Sequence, residues 1–257
     1  MGVLFRTCRF LIALVGCIFF LSCGGKKAAD YDYTIALDPT WYSLELPGRE
    51  PELTAFTTEL ILEIGKIEKV SIGVYERSWN NLMYALQEGE CDAICSTMQP
   101  YLFYEKLYNF SNLYLMTGPV LVVPSNAPVQ HLDKMAGKIM GIQRDSNSAL
   151  ILEKYPYVIQ RTYDSIQQAL TDASQGVIDG ALVDILTAEA FTRDIFQGQL
   201  KISTPPLTQE GVRILAMKDH TPELIKIFDR GLARLKENGK YTALAKKWRL
   251  AEPKDKH

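Results

Sequence analysis

From Tyr33 to Trp248, short apolar runs alternate with stretches whose apolar residues recur at helical spacing, and this alternation points the chain to α/β layers. The pattern predicts strands at 33–37, 70–75, around Ala93, at 138–142, 157–163 and 179–183, and an extended return at 211–217. Leu53, Phe56, Leu60, Ile61 and Ile64 mark one buried face of a helix over 52–66. Trp79, Leu82, Met83 and Leu86 mark a second, which stops near Gly89. Further helices follow at 149–154, at Ile166–Ala173 with a stop at Gln175-Gly176, and over 187–196. Thr221-Pro222-Glu223 opens another with a capping hydroxyl, a proline at the first position and an acid in the first turn. It runs to Gly239, and Tyr241 to Trp248 forms a last amphipathic helix. The stretch 109–123, with Gly118-Pro119 in its middle, leaves the first unit, and the chain returns after Pro205-Pro206. Two lobes with a cleft between them are therefore expected: residues 31–118 and 209–250 in the first, 119–208 in the second.

The stretch from Cys91 to Tyr104 is where an apolar run gives way to small hydroxyl residues. Cys91, Ala93 and Cys95 are expected on one face of a strand and Asp92 and Ile94 on the other. Ser96 and Thr97 then offer hydroxyls at the strand end, where open α/β sheets bind small ligands. The same residues suit an ordinary strand-to-loop turn. Two carboxylates emerge at strand ends: Asp38, held extended by Pro39, and Asp184 after 179–183. Ser146 or Asn147 would cap the 149–154 helix and turn its free N–H groups toward an anion, or cap it with no ligand at all.

A chain of 257 residues can bury a sizeable core, and 47% hydrophobic with 23% charged residues is ordinary for a globular protein. Without its first 22 residues it loses Arg6 and Arg9, leaving 26 basic against 30 acidic residues and a charge of −4, no footprint for nucleic acid. Arg6 and Arg9 precede an apolar run of 12 residues, Phe10 to Leu21, too short to span a bilayer and the right length for a secretory leader over 1–22. The Leu-Ser-Cys23 ending, followed by Gly-Gly-Lys-Lys, resembles a bacterial lipobox and implies cleavage and lipidation at Cys23. Phe20 departs from the smaller aliphatic residue usual three positions before the cysteine; a plain signal peptide is the other reading. Residues 23–30 read as a flexible tether and 251–257 as a charged tail, so the expectation is a soluble body held by lipid at an extracytoplasmic membrane face. On one extended strand Cys91 and Cys95 would stand ~13 Å apart, beyond the ~7 Å a disulfide tolerates. Two buried, reduced thiols are expected, and neither metal nor organic cofactor is indicated.

Six pieces occur in order: Asp38-Pro-Thr-Trp41, Ala55-Phe-Thr-Thr-Glu-Leu60, Trp79-x-x-Leu-x-x-x-Leu-x-x-Gly-x-x-Asp92-Ala-Ile, Met140-Gly-Ile-Gln143, Ile178-Asp-Gly-Ala-Leu-Val-Asp184 and Asn238-Gly-Lys-Tyr-x-x-Leu-x-Lys-Lys-Trp248. Together they resemble the amino-acid-binding members of the periplasmic solute-binding protein family, receptors of polar amino acid ABC importers. The resemblance covers about Tyr33 to Leu250. It implies the type II fold of two α/β lobes joined by two strands, with ligand bound between closing lobes. It also implies an acid at Asp38, aromatic walls at Trp41 and Trp79, a polar run at Ser96, Thr97 and Gln99, a carboxylate-receiving helix start at Ser146 and Asn147, and Asp184 for the ligand's ammonium. Tyr104 stands where the family's usual carboxylate-gripping arginine falls. A phenol brings no charge, so either Arg144 approaches from the second lobe or the ligand presents no α-carboxylate there. Aromatic rings at Trp41, Trp79, Tyr101 and Tyr104, with two acids, favour an amino-bearing solute, an amino acid, amine or peptide-like molecule.

The function implied is capture of that solute by a monomeric, lipid-anchored receptor for ABC permease subunits. A dehydratase-like enzyme on the same fold is the rival. His131, His220 and His257 lie outside every cleft motif, and Glu45 and Glu105 have no carboxylate partner at a catalytic separation, so no enzyme is expected. A sensory surface lipoprotein without a permease is the third alternative.

Overall fold

The computed structural model describes residues 31–250 apart from 43, 45, 47, 129 and 130. The expected leader, Cys23, the tether and the tail lie outside the described residues.

Five strands in the order β2-β1-β3-β11-β4 form the first sheet: β1 (Tyr33–Leu37), β2 (Ile72–Glu76), β3 (Ala93–Ser96), β4 (Tyr108–Phe110) and β11 (Gly211–Met217). β1 runs parallel to β2 and β3, β11 antiparallel to β3 and β4, and the two-residue β5 (Leu115–Met116) pairs with β11 off this path. The helix α1 (Glu50–Glu68) covers one face together with α6 (Pro222–Glu237) and α7 (Lys240–Lys247). The apolar residues expected on its buried face, Leu53, Phe56, Leu60, Ile61 and Ile64, are all fully enclosed. α2 (Trp79–Gln87) covers the other face through Leu82, Ala85 and Leu86.

The second sheet has the order β10-β6-β9-β7-β8, from β6 (Pro119–Pro124), β7 (Ile139–Gln143), β8 (Ile159–Tyr163), β9 (Gly180–Asp184) and β10 (Leu200–Ile202). Here α4 (Ile166–Ser174) and α5 (Ile185–Arg193) pack on one face. The short α3 (Ser148–Leu152) and a 3-10 turn at Leu132–Lys134 lie on the other. The chain passes between sheets twice, at 117–118 and at 203–210. A β-carbon on Gly211 would stand 2.2 Å from the Leu115 carbonyl oxygen, so glycine is what lets β5 and β11 approach at the crossing.

Three local expectations are revised. β3 begins only at Ala93, because Glu90 and Cys91 still donate backbone N–H groups to Ala85 at the end of α2. Cys91 therefore faces the α2 side while Ala93 and Cys95 face α1. Both thiols are free and buried, and burial pushes Cys91 up to about 11 and Cys95 to about 12, which keeps them inert. Thr221 precedes α6 without capping it; its hydroxyl donates instead to the Asp92 carbonyl at 3.1 Å and ties α6 to the start of β3. Asn147 occupies the N-cap position of α3 with no side-chain cap, and the Ser146 hydroxyl donates to the Gln143 carbonyl at 2.8 Å.

Candidate functional site

A cleft of about 410 Å³ opens between the two sheets where the crossings run. The first lobe contributes Leu44, Thr97, Gln99 and Tyr101, the crossings Thr117, Glu210 and Gly211. The second contributes Gln143, the loop from Asp145 to Ser148, and Asp184 with Thr187. Strand ends place these groups. β3 stops at Ser96 and delivers Thr97 and Gln99; β7 stops at Gln143 and delivers 145–148; β9 stops at Asp184, which is exposed at the cleft wall. Asp145 takes a left-handed backbone (φ 61°), a conformation its short polar side chain tolerates, and this turns the loop toward the gap. The lining holds three carboxylates, Asp145, Asp184 and Glu210, and among the described residues no lysine or arginine.

Of the residues singled out in the sequence, Thr97, Gln99, Tyr101, Ser146, Asn147 and Asp184 come together on this lining. The others stand behind it or beside it. Asp38 is 3% exposed, and its carboxylate accepts hydrogen bonds from the Thr40 amide (3.1 Å), the Thr40 hydroxyl (2.8 Å) and the Tyr42 amide (3.4 Å). It thus closes an Asx-type turn after β1. Trp41 has a left-handed backbone (φ 48°) that turns its ring back into the first-lobe core, where the indole Nε1 donates to Thr54 at 2.9 Å. Trp79 is exposed and stacks on Tyr42, ring centroids 6.0 Å apart. Ser96 is buried, its hydroxyl accepting from the Met98 amide at 3.0 Å. Tyr104 lies in an aromatic cluster with Phe103 and Tyr108, with centroids at 4.0 and 6.4 Å.

Arg144 does not supply the missing cation: it is exposed and holds Asp164 through Nε at 3.0 Å and Nη2 at 2.8 Å. Two features at the cleft were not singled out from sequence. Thr117 and Glu210 sit on the crossings, where only the fold shows that they face a gap. Arg213 of β11 is 8% exposed and reaches the cleft residue Gln99, Nη2 standing 3.5 Å from Oε1. One arginine inside the apolar run 211–217 was the available signal.

No group of His, Cys, Asp and Glu among the described residues is arranged to hold a metal ion, and no helix there is long and apolar enough to cross a membrane.

Two α/β lobes joined by two crossings, with a polar cleft between them, define the periplasmic-binding-protein class. The chain belongs to the bacterial extracellular solute-binding proteins, family 3, whose model matches residues 33–251. It is similar to the arginine-binding extracellular protein ArtP of Bacillus subtilis, 25% identical over 78% of this chain and 79% of that protein. The L-cystine-binding protein TcyJ of Escherichia coli is 23% identical over 83% of this chain and 81% of its own length. The fold matches the L-cystine solute receptor of Neisseria gonorrhoeae in its unliganded open conformation, with TM-score 0.68 at 18% identity over 84% of this chain and 92% of that one.

Proposed function

We propose that the protein is a lipid-anchored extracytoplasmic receptor that captures a small amino-bearing solute, an amino acid or related compound, and presents it to the permease of an ABC importer. The lobes divide at 118/119 and 208/209, and Cys23 carries the lipid after removal of residues 1–22. The observation that carries the binding reading is the cleft, which has the size of a small-molecule site and draws hydroxyls, amides and carboxylates from both sheets. Relatives named for arginine and L-cystine binding support an amino acid as the solute class. Asp184 takes the ammonium, since a cation leaving water needs a charged acceptor. Thr97, Gln99, Ser146 and Asn147 supply hydrogen bonds across the gap. Asp38, Trp41 and Ser96 hold the strand-end loops that present them, with Trp79 and Tyr104 as outer aromatic walls.

A thermal-shift screen of amino acids, polyamines and small peptides tests this. Ligand at 100 times its Kd stabilises by ~2.7 kcal/mol. For a domain of this size that raises the melting temperature by about 5–10 °C. Asp184→Ala should abolish the shift for the responding compound. A screen without a responder, or a shift untouched by Asp184→Ala, counts against the reading.

A further inference from the structure

Among the described residues Asp38, Arg49, Asp92 and Arg213 are charged residues buried almost whole, backbone and side chain together. Three are well matched. Asp38 accepts from Thr40 and Tyr42, Asp92 from the amide and hydroxyl of Thr34, and Arg49 donates to the carbonyls of Leu186 and Arg249. Arg213 is not. Its Nε is buried without a hydrogen-bond partner, its one side-chain hydrogen bond is the 3.5 Å approach to the neutral Gln99 amide oxygen, and among the described residues no carboxylate pairs with it. A guanidinium keeps its proton in a protein, so this is a charge withdrawn from water and left without a counter-ion. Burial pushes its pKa downward, as expected for such a group.

Its place in the fold says what the missing partner is. Along β11 the residues Gly211, Arg213 and Leu215 share one face; Gly211 lines the cleft, and Leu215 lies in the core beneath α2. Arg213 stands between them, opposite Ser96 in register and directly behind Gln99 on the cleft wall. The lining itself carries three carboxylates and no cation among the described residues, and Tyr104 is held in its aromatic cluster. We propose that Arg213 is the anion anchor of this cleft: it receives the carboxylate of the solute whose ammonium goes to Asp184, so that the site selects a zwitterion over a plain amine. The proposal rests on the cleft being the solute site. Gln99 shares the guanidinium with the incoming carboxylate, and the buried charge gains its partner only when ligand is present.

Calorimetry on the purified protein tests this with L-arginine, L-histidine and L-cystine against their decarboxylated counterparts agmatine, histamine and cystamine. Wild type should bind at least one of the amino acids about tenfold or more tightly than its amine. Arg213→Gln should weaken that amino acid by about 10- to 100-fold, leave the amine within about twofold and so erase the preference, with Arg213→Lys intermediate. Ligand-free Arg213→Gln should melt no lower than wild type, because an unpaired buried charge has been removed; a purely structural arginine would give the opposite. A preference for the carboxylate that survives in Arg213→Gln, or an equal fall for acid and amine, overturns the anchor while leaving the solute site standing. If wild type binds none of the six, the amino acid that responds in the thermal-shift screen and its decarboxylated amine take their place, and if that screen has no responder the solute reading falls and the anchor with it.

Discussion

Asp38 illustrates how one residue can be read at two levels. Its carboxylate emerges at the end of β1 as the Asp-Pro dipeptide requires, and that much is legible in sequence. That the carboxylate folds back on Thr40 and Tyr42 is not, because an Asx turn and a ligand contact use the same side chain. Asp38→Ala should remove the charge-assisted bonds that close this turn and lower stability by about 1–3 kcal/mol, read from the urea midpoint at unchanged slope. An unchanged midpoint would mean that the turn does not depend on it. Trp41 follows the same logic: an aromatic near a strand end suits a cleft wall or a core, and its left-handed backbone decides for the core. Arg213 was hidden for another reason. A single cation in an apolar run carries no periodicity, and only the register of β11 against β3 puts it behind Gln99.

Elements were legible where periodicity was long. α1 follows its apolar spacing and runs past the expected 52–66 at both ends, and α6 follows its own but stops at Glu237, short of Gly239, whereas the three-residue β10 and the 3-10 turn at Leu132–Lys134 are too short to leave a pattern. The close approach of β5 and β11 at Gly211 is likewise invisible without the fold. Gly211→Ala sets a methyl against the Leu115 carbonyl, a backbone atom that cannot swing aside, and should cost about 1–3 kcal/mol and loosen the crossing. A urea midpoint equal to wild type would refute that. On the other side of the first lobe α1 is stitched to α7 by Glu59 with Lys247 and by Glu63 with Lys240, and Glu63 also meets Lys66 within α1. These bonds, Lys247 foremost for Glu59 and Lys66 for Glu63, hold both carboxyls below the usual glutamate range. Folded values below unfolded ones give stability that is present above about pH 4.3 and is lost as the pH falls through the depressed values. Asp229, raised by burial, has the opposite sign and softens that slope. The pairs are partly exposed, so each is worth at most about 1 kcal/mol. Glu59→Gln with Glu63→Gln should change the pH 7 midpoint modestly and flatten its decline between pH 5 and 3, where urea titrations at fixed salt would reveal it.

At the scale of the molecule, the two crossings were legible from Gly118-Pro119 and Pro205-Pro206, whereas the direction each wall faces was not, since it depends on how the two sheets are set against each other. That setting has a mechanical consequence. The cleft walls belong to different sheets, so a solute held as proposed, by Thr97 and Gln99 on one and by Asp184 and Ser146 on the other, would gain its second set of contacts as the lobes close. Ligand that binds one arrangement better shifts the population toward it by its differential affinity, and no further. The lobes also stay joined away from the gap. Leu186 at the start of α5 is buried in the first-lobe core, and Arg49 donates to its carbonyl at 3.3 Å, so closure of the proposed kind would turn about this contact and the crossings. A compact chain of about 220 residues has a radius of gyration near 17 Å. Solution scattering on a responding compound should show that radius fall on saturation while the contact at Leu186 persists. Asp184→Ala at the same ligand concentration should stay at the ligand-free value, because removing contacts on one wall removes the differential affinity that drives closure. Saturation at an unchanged radius would mean that binding is complete on one lobe and that the second wall plays no part in it.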